Sequence, residues 1–305
     1  MHGSRLCWKK FVNAAAHYPA DALVMGGDLT GKALVPIVRE GDGTYRAEVI
    51  GEQRTACTAE ELDHLQQAIS TNGMYPLIVD RDEARALATD SERLEQAFER
   101  ALLDELRLWV QLADERLADT GTRAYVIPGN DDPWEVDPVL ASGGSVVACD
   151  EAVEQIGPHE MASFGYSNRT PWQTPRELDE EEIYARLKRL VDQLESPGRA
   201  ILNVHVPPYE SSLDTAYEVD EDLRYVMKGG RPHEIPTGSS AVRQIIEETQ
   251  PLLSLHGHIH ESRGVAKIGR TVAINPGSDY GSGHLDGCLV HLAPDRVVNQ
   301  YLVSG

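Results

Sequence analysis

Four short stretches carry side chains able to do chemistry. Asp28 follows Gly26-Gly27 in DALVMGGDLTGK, Asn130 follows Gly129 in TRAYVIPGNDDP, His205 lies in RAILNVHVPP, and His256, His258 and His260 alternate in LLSLHGHIHES. Carboxylate and amide oxygens with imidazole nitrogens, and no thiolate, suit hard and borderline divalent ions such as Mn²⁺, Fe and Zn²⁺ rather than a structural zinc site. Two histidines two apart on a tight turn can face different directions. One carboxylate, Asp28, could then bridge a pair of ions about 3.5 to 4 Å apart, the arrangement that activates water against a phosphoryl centre.

The elements that must position these residues read as α/β. Apolar runs of four to six residues, each followed by a turn that displays polar groups, fit strands buried on both faces at Asp21–Lys32, Thr122–Pro133, Arg199–Pro208 and in PLLSLHGHIH. Between them, 91–121 is expected to be a helix with a serine cap and an apolar face of Leu94, Phe98, Leu102, Leu106, Trp109 and Val110. Further helices are expected over 180–195 and 239–250. Residues 33–90 read as an inserted cap on a single domain of 1–305: a hairpin at 39–51, then a helix at 58–69 opened by a capping box. After Gly264 four short segments, GVAKIG, RTVAINPG, GCLVHLAP and RVVNQYLV, read as a meander closing a second sheet. No internal repeat stands out.

Composition narrows the function classes. There are 49 Asp+Glu against 28 Lys+Arg, a formal charge of −21, which repels polyanions at long range and argues against a nucleic-acid coat protein. A small phosphorylated substrate remains compatible, because bound cations override the local field. Cys7, Cys57, Cys149 and Cys288 lie far apart without a CxxC pair, so they signal neither a zinc knuckle nor a disulfide framework. Without a long apolar segment or a secretory signal pattern, the expectation is a soluble cytoplasmic protein with no membrane partner. The oligomeric state is left open.

Gly26-Gly27-Asp28, Gly129-Asn130, the lone His205 before Pro-Pro, GHIH at 257–260 and NPGS at 275–278 occur in an order that resembles the calcineurin-like metallophosphoesterases. The resemblance runs from His2 to Ser278, leaving only the cap unmatched. It implies a four-layer α/β/β/α sandwich of two mixed sheets, with a binuclear metal site at the strand ends. It also implies a hydrolase acting on ester bonds: a phosphoesterase that cleaves a small phosphomonoester, phosphodiester or nucleotide through metal-activated water. By the same resemblance Asp28 would bridge two divalent ions, Mn²⁺ being favoured over Fe or Zn²⁺. His2 and His260 would hold the first, and Asn130, His205 and His258 the second. Asn130 would also touch a phosphoryl oxygen, and NPGS would support the site without ligation.

The chain departs from that pattern twice. The family's first motif is Asp-x-His, and Met1-His2-Gly3 matches only its second half; the missing aspartate and the first strand of the sheet would precede Met1. A truncated chain or misplaced start is the expectation, because losing a buried strand exposes backbone groups and core surface. With Met1 as the true start, the first metal would lack a carboxylate and bind weakly. The second departure is Asp131: this branch reads Gly-Asn-Asp-Asp where many members read Gly-Asn-His, whose histidine protonates the leaving group. A carboxylate beside two dications is a poor proton donor, so Asp131 as catalytic residue implies leaving groups that need little protonation.

Weaker signals are weighed beside these. His256 matches no ligand position and is either a pocket residue or a partner that orients a ligand. Tyr209 and Asp214 follow His205 and are rim candidates by position alone, as is His233 in a later segment. Trp172 with Arg169 or Arg176 could form a substrate loop, but a Pro-rich lead into a helix is preferred. His17, His64, His159 and His291 read as surface or packing residues, and His284 as a neighbour of the pocket at most. Two rival functions remain: a metallophosphoesterase-fold scaffold with weak or no catalysis, and, less favoured given the charge, a nuclease.

Overall fold

The computed structural model describes residues 1–305 as a mixed α/β protein with several sheets. Ala22–Met25, Arg123–Val126 and Val146–Ala148 form a parallel three-stranded sheet in that order. A six-stranded sheet runs Gly264–Ile268, Thr271–Asn275, Leu253–Leu255, Ile201–Val204, His159–Phe164, Val153–Ile156. Its four inner strands are parallel and both edge strands antiparallel.

Strand alternation decides what each face meets. Tyr125 points into a core with Met161, Ile201, Leu253 and Ile274, which joins the two sheets. Its neighbours Ala124 and Val126 point the other way, onto helices Arg5–His17 and Ser91–Leu117. Leu202 and Val204 likewise turn from that shared core toward helices Glu180–Val191 and Ser240–Thr249. On the long helix, Leu102, Leu106, Trp109, Val110, Ala113 and Leu117 recur every three or four residues and are buried. Each fully buried leucine stabilises by about 1.5–3 kcal/mol. Trp109 stacks on Trp8 with ring centroids 5.1 Å apart, and its carbonyl accepts the Trp8 indole N–H at 2.9 Å. The expected serine cap is displaced by one residue: Asp90, not Ser91, accepts from Arg93 N, since a carboxylate at the dipole's positive end is the better cap.

The 33–90 segment contains the expected hairpin and the helix Ala59–Thr71, whose capping box of Thr58 and Glu61 is complete. The pairing it closes is long-range: Ala33–Val38 lies parallel to Met74–Val79, giving a four-stranded sheet with its own core of Val35, Ile37, Ala47, Val49, Ala56, Leu65 and Ile69. Tyr75 ties this sheet to the rest, its hydroxyl accepting Gly31 N at 2.6 Å. Gly31 must be glycine, because a Cβ there would lie 2.0 Å from the Gly73 carbonyl oxygen.

The C-terminal meander is corrected in part. Gly264–Ile268 and Thr271–Asn275 join the six-stranded sheet, but Asp286–Ala293 and Arg296–Ser304 pair only with each other. A single 3-10 turn at Tyr280–Ser282 and the left-handed Gly283 (φ 71°) redirect the chain between the two hairpins. No helix is long and apolar enough to cross a membrane.

Candidate metal centre

The chemistry-bearing residues converge at the strand tips. After Met25 the chain needs left-handed backbone at Gly27 (φ 108°) and Asp28 (φ 53°) to turn the carboxylate inward. Gly27 admits no side chain, since a Cβ would sit 2.5 Å from His205 Nδ1 and 2.8 Å from Gly129 Cα. Two more non-glycine residues at the centre are left-handed, His2 (φ 46°) and His258 (φ 65°). Such conformations persist only where surrounding contacts over-determine them. At His2 those contacts are its own N–H donating to Asp28 O at 2.7 Å and Gly3 N donating to Leu29 O at 2.8 Å.

Two groups of possible ligands share one carboxylate: His2, Asp28 and His260, and Asp28, His205 and His258, with ligand atoms within 4.8 Å of one another in each. Asp28 Oδ2 is 3.3 Å from His2 Nε2, and Oδ1 is 3.4 Å from His205 Nε2. His2 Nε2 and His260 Nε2 are 2.9 Å apart. Asn130 Oδ1 joins the second group, 2.9 Å from His205 Nε2 and 2.8 Å from His258 Nδ1. His205 Nδ1 donates to the Gly26 carbonyl at 2.6 Å, so in the neutral ring Nε2 presents its lone pair to the centre.

The electrostatics favour ligand forms. Burial alone would raise the Asp28 carboxyl, but the facing imidazoles of His205 and His2 hold it well below the usual carboxylate range. Burial, then the neighbouring His205, pushes His258 down to about 3; burial, then His2, pushes His260 down to about 3. The result is one buried anion beside His258 and His260, whose neutral rings offer lone pairs to a cation. His2 Nδ1 is buried with no hydrogen-bond partner. Nitrogen and oxygen donors crowded this closely repel unless a cation or proton lies among them, so the donor set fits divalent ions of borderline character.

Asp131 stands at the edge of this group. Its Oδ2 is 2.6 Å from Lys32 Nζ and 3.6 Å from His2 Nδ1. Burial lowers the Lys32 ammonium, but its bond to Asp131 outweighs this and leaves it raised. Tyr280 packs against His2 at a tilt of 41°, ring centroids 4.8 Å apart. Neither Lys32 nor Tyr280 is signalled by a motif.

Asp132 was also missed in the sequence, where it is indistinguishable from its neighbour. Fully buried, it accepts Thr30 N at 2.8 Å and Thr30 Oγ1 at 2.7 Å on one oxygen, and Leu29 N at 3.0 Å and Gly129 N at 2.7 Å on the other. It therefore clamps the Asp28 turn to the Asn130 turn.

One substrate-contact candidate, His256, is corrected. His256 is sealed inside, Nδ1 shared between the Val204 and Val206 carbonyls at 3.0 Å each and Nε2 2.8 Å from Ser254 Oγ. Both ring nitrogens are spent on the fold, and burial lowers it to about 4, so it braces the loop of His205 and does not meet substrate. Tyr209 is half-buried, its backbone held by Ser239 O and Arg243, and its hydroxyl has no hydrogen bond to the group.

Other residues named from sequence serve structure. Asp214 is buried, accepting Glu210 N, Ser211 N and Gly238 N. Arg176 is buried, bonded to Asp132 O, Pro133 O and Asp137, and packed on Trp134. His233 pairs with Glu218 and His284 with Asp279. Asn275 fits the role given to NPGS: Nδ2 donates to Leu213 O and Ile259 O, Oδ1 accepts Gly277 N, and Ser278 N donates to His260 O.

The chain belongs to the same family as the uncharacterized protein MJ1162 of Methanocaldococcus jannaschii, with 35% identity over 166 residues, 53% of this chain and 68% of the relative. No family model matches it. Among solved structures, TT1561 of Thermus thermophilus is similar at 18% identity and a TM-score of 0.41, over 60% of this chain and 73% of that one. The Thermus thermophilus sulfate thiohydrolase SoxB, in complex with glycerol, is similar at 14% identity and a TM-score of 0.36, over 80% of this chain and 41% of SoxB.

Proposed function

We propose that this chain is a metal-dependent phosphoesterase of the calcineurin-like type, built as an α/β/β/α sandwich and acting on a small phosphomonoester, phosphodiester or nucleotide. The observation that carries this reading is the pair of ligand groups sharing Asp28, each closed by one buried and one half-buried imidazole. His2, Asp28 and His260 would hold one divalent ion; Asp28, Asn130, His205 and His258 the other, with Mn²⁺ the favoured metal. When bound, such ions supply a water acidic enough to act as nucleophile and positive charge beside the phosphoryl oxygens.

The chain's own residues do the rest. Asp28 and the clamp of Asp132 hold the two turns in register, and the paired Lys32 and Asp131 line the edge nearest His2. Asp131, committed to an ammonium partner, is an acceptor there and not a proton donor. We therefore assign leaving groups that depart with little protonation, aryl esters or anhydrides, on a small phosphorylated substrate; separately, we propose a cytoplasmic setting. The test is hydrolysis of bis-p-nitrophenyl phosphate against an alkyl phosphodiester, with and without Mn²⁺. Faster aryl turnover that Asp28→Asn abolishes supports the reading. Equal alkyl turnover contradicts the leaving-group assignment, and turnover unaffected by Asp28→Asn contradicts the site.

A further inference from the structure

A side-chain amide at a metal centre must present the correct end. Asn130 is 4% exposed, and its Oδ1 faces His205 and His258. Its Nδ2 turns away and donates to Thr174 Oγ1 at 2.8 Å, with a longer contact of 3.3 Å to Asp131 Oδ1.

The hydroxyl of Thr174 has one proton, and its destination decides the amide. Thr174 Oγ1 is 2.7 Å from Glu177 Oε1, which also accepts Thr174 N at 2.9 Å. The same carboxylate takes Thr170 N at 3.0 Å and the Thr170 hydroxyl. A carboxylate only accepts, so the Thr174 proton goes to Glu177 and the oxygen keeps lone pairs for Asn130 Nδ2. Flipping the amide would set Asn130 Oδ1 against that oxygen, two acceptors with no proton between them.

The loop that brings Thr174 here is fixed at both ends. Ser167–Asn168 pairs in parallel with Glu177–Leu178. Arg176 N donates to the Asn130 carbonyl at 3.2 Å, and Arg176 Nε to the Asp132 carbonyl at 2.9 Å. Thr174 is thus held against the turn whose side chain it orients.

We infer that Thr174, polarised by Glu177, is a positioning residue that locks the Asn130 amide with its oxygen toward His205 and His258. This rests on the reading of that cluster as a metal centre. It has a consequence for substrate: one Nδ2 hydrogen of Asn130 is held by Thr174, which leaves only the second, 3.3 Å from Asp131 Oδ1, to reach a phosphoryl oxygen.

The test is Mn²⁺ titration of Thr174→Val and Thr174→Ser, read by calorimetry and by electron paramagnetic resonance. Thr174→Val keeps the side-chain shape and removes the hydroxyl. It is expected to weaken the ion held by Asn130, His205 and His258 by about 10- to 100-fold, the usual penalty for removing a ligand's hydrogen-bond partner. The ion held by His2 and His260 is expected to bind as in wild type. Thr174→Ser should restore binding, and in an Asn130→Asp background, which has no Nδ2 to orient, Thr174→Val should add little. Wild-type affinity in Thr174→Val, or equal losses in the valine and serine variants, overturns the assignment while leaving the metal centre intact. Should Thr174→Val not fold, Thr174→Ala against Thr174→Ser reads the same difference. A wild-type chain that binds no divalent ion overturns the metal reading and this inference together.

Discussion

Replacing Asp132 by asparagine should damage this protein far more than the same change one residue earlier. Each Asp132 oxygen accepts two donors: Thr30 N and Oγ1 on one, Leu29 N and Gly129 N on the other. An asparagine keeps one of these acceptors and turns an NH₂ toward the other two donors. Leaving a buried donor unmatched costs about 1–3 kcal/mol, so two cost about 2–6 kcal/mol. That is a large part of the roughly 5–15 kcal/mol that holds a typical domain folded. Asp131→Asn, by contrast, loses a pair whose lysine side chain is 64% exposed, worth at most about 1 kcal/mol after solvent screening. Urea unfolding followed by circular dichroism, in chelator so that metal binding does not contribute, measures both. Metal titration of the same variants should show weaker binding in Asp132→Asn, because its turns no longer hold Asp28 against Asn130. An Asp132→Asn protein within about 0.5 kcal/mol of wild type, the range of an ordinary surface change, would refute the clamp.

Gly129→Ala would place a Cβ 2.2 Å from Asp28 Oδ1 and 2.4 Å from Asp28 N, both fixed. A loss of about 3 kcal/mol and of metal binding is expected, read by thermal melt and titration. His256 is held at about 4 against an ordinary 6.5, so the fold favours its neutral form. Its stabilisation is complete above pH 6.5 and is lost as pH falls toward 4, about 3 kcal/mol at roughly 1.36 kcal/mol per pH unit. Urea midpoints of metal-free protein should fall across that window, and fall less in His256→Gln. Lys32→Ala should raise KM for an anionic aryl phosphate about 2- to 5-fold at low salt, as befits a screened charge, with the difference shrinking near about 1 M salt. An equal effect at both salt levels would point to a structural role.

The strand tips were readable because each apolar run ends in glycine, proline or a polar turn, and such punctuation is local. Asp28, Asn130, His205, His258 and His260 therefore came out of the sequence together. The histidine alternation hides a difference at one position. In a strand, residues two apart share a face, but left-handed His258 (φ 65°) breaks the strand, so His256 points into the core while its neighbours face the centre. Asp131 and Asp132 read alike in sequence, and only their directions separate them: one to a lysine, the other to three backbone N–H groups and a hydroxyl. Thr174 and Glu177 stand in a run that reads as a helix lead-in. Their bearing on Asn130, 44 residues upstream of Thr174, depends on a loop closure that no local pattern records. The parallel pairing of Ala33–Val38 with Met74–Val79 was hidden for the same reason.

The central claim is that Asp28 is shared by two ion sites, and metal stoichiometry tests it most directly. Chelator-stripped wild type and Asp28→Asn are titrated with Mn²⁺, and bound metal is counted per chain. Wild type should take up two equivalents, with hydrolysis of bis-p-nitrophenyl phosphate appearing as they bind, and Asp28→Asn should lose both. One equivalent or fewer in wild type, or undiminished binding in Asp28→Asn, would contradict it.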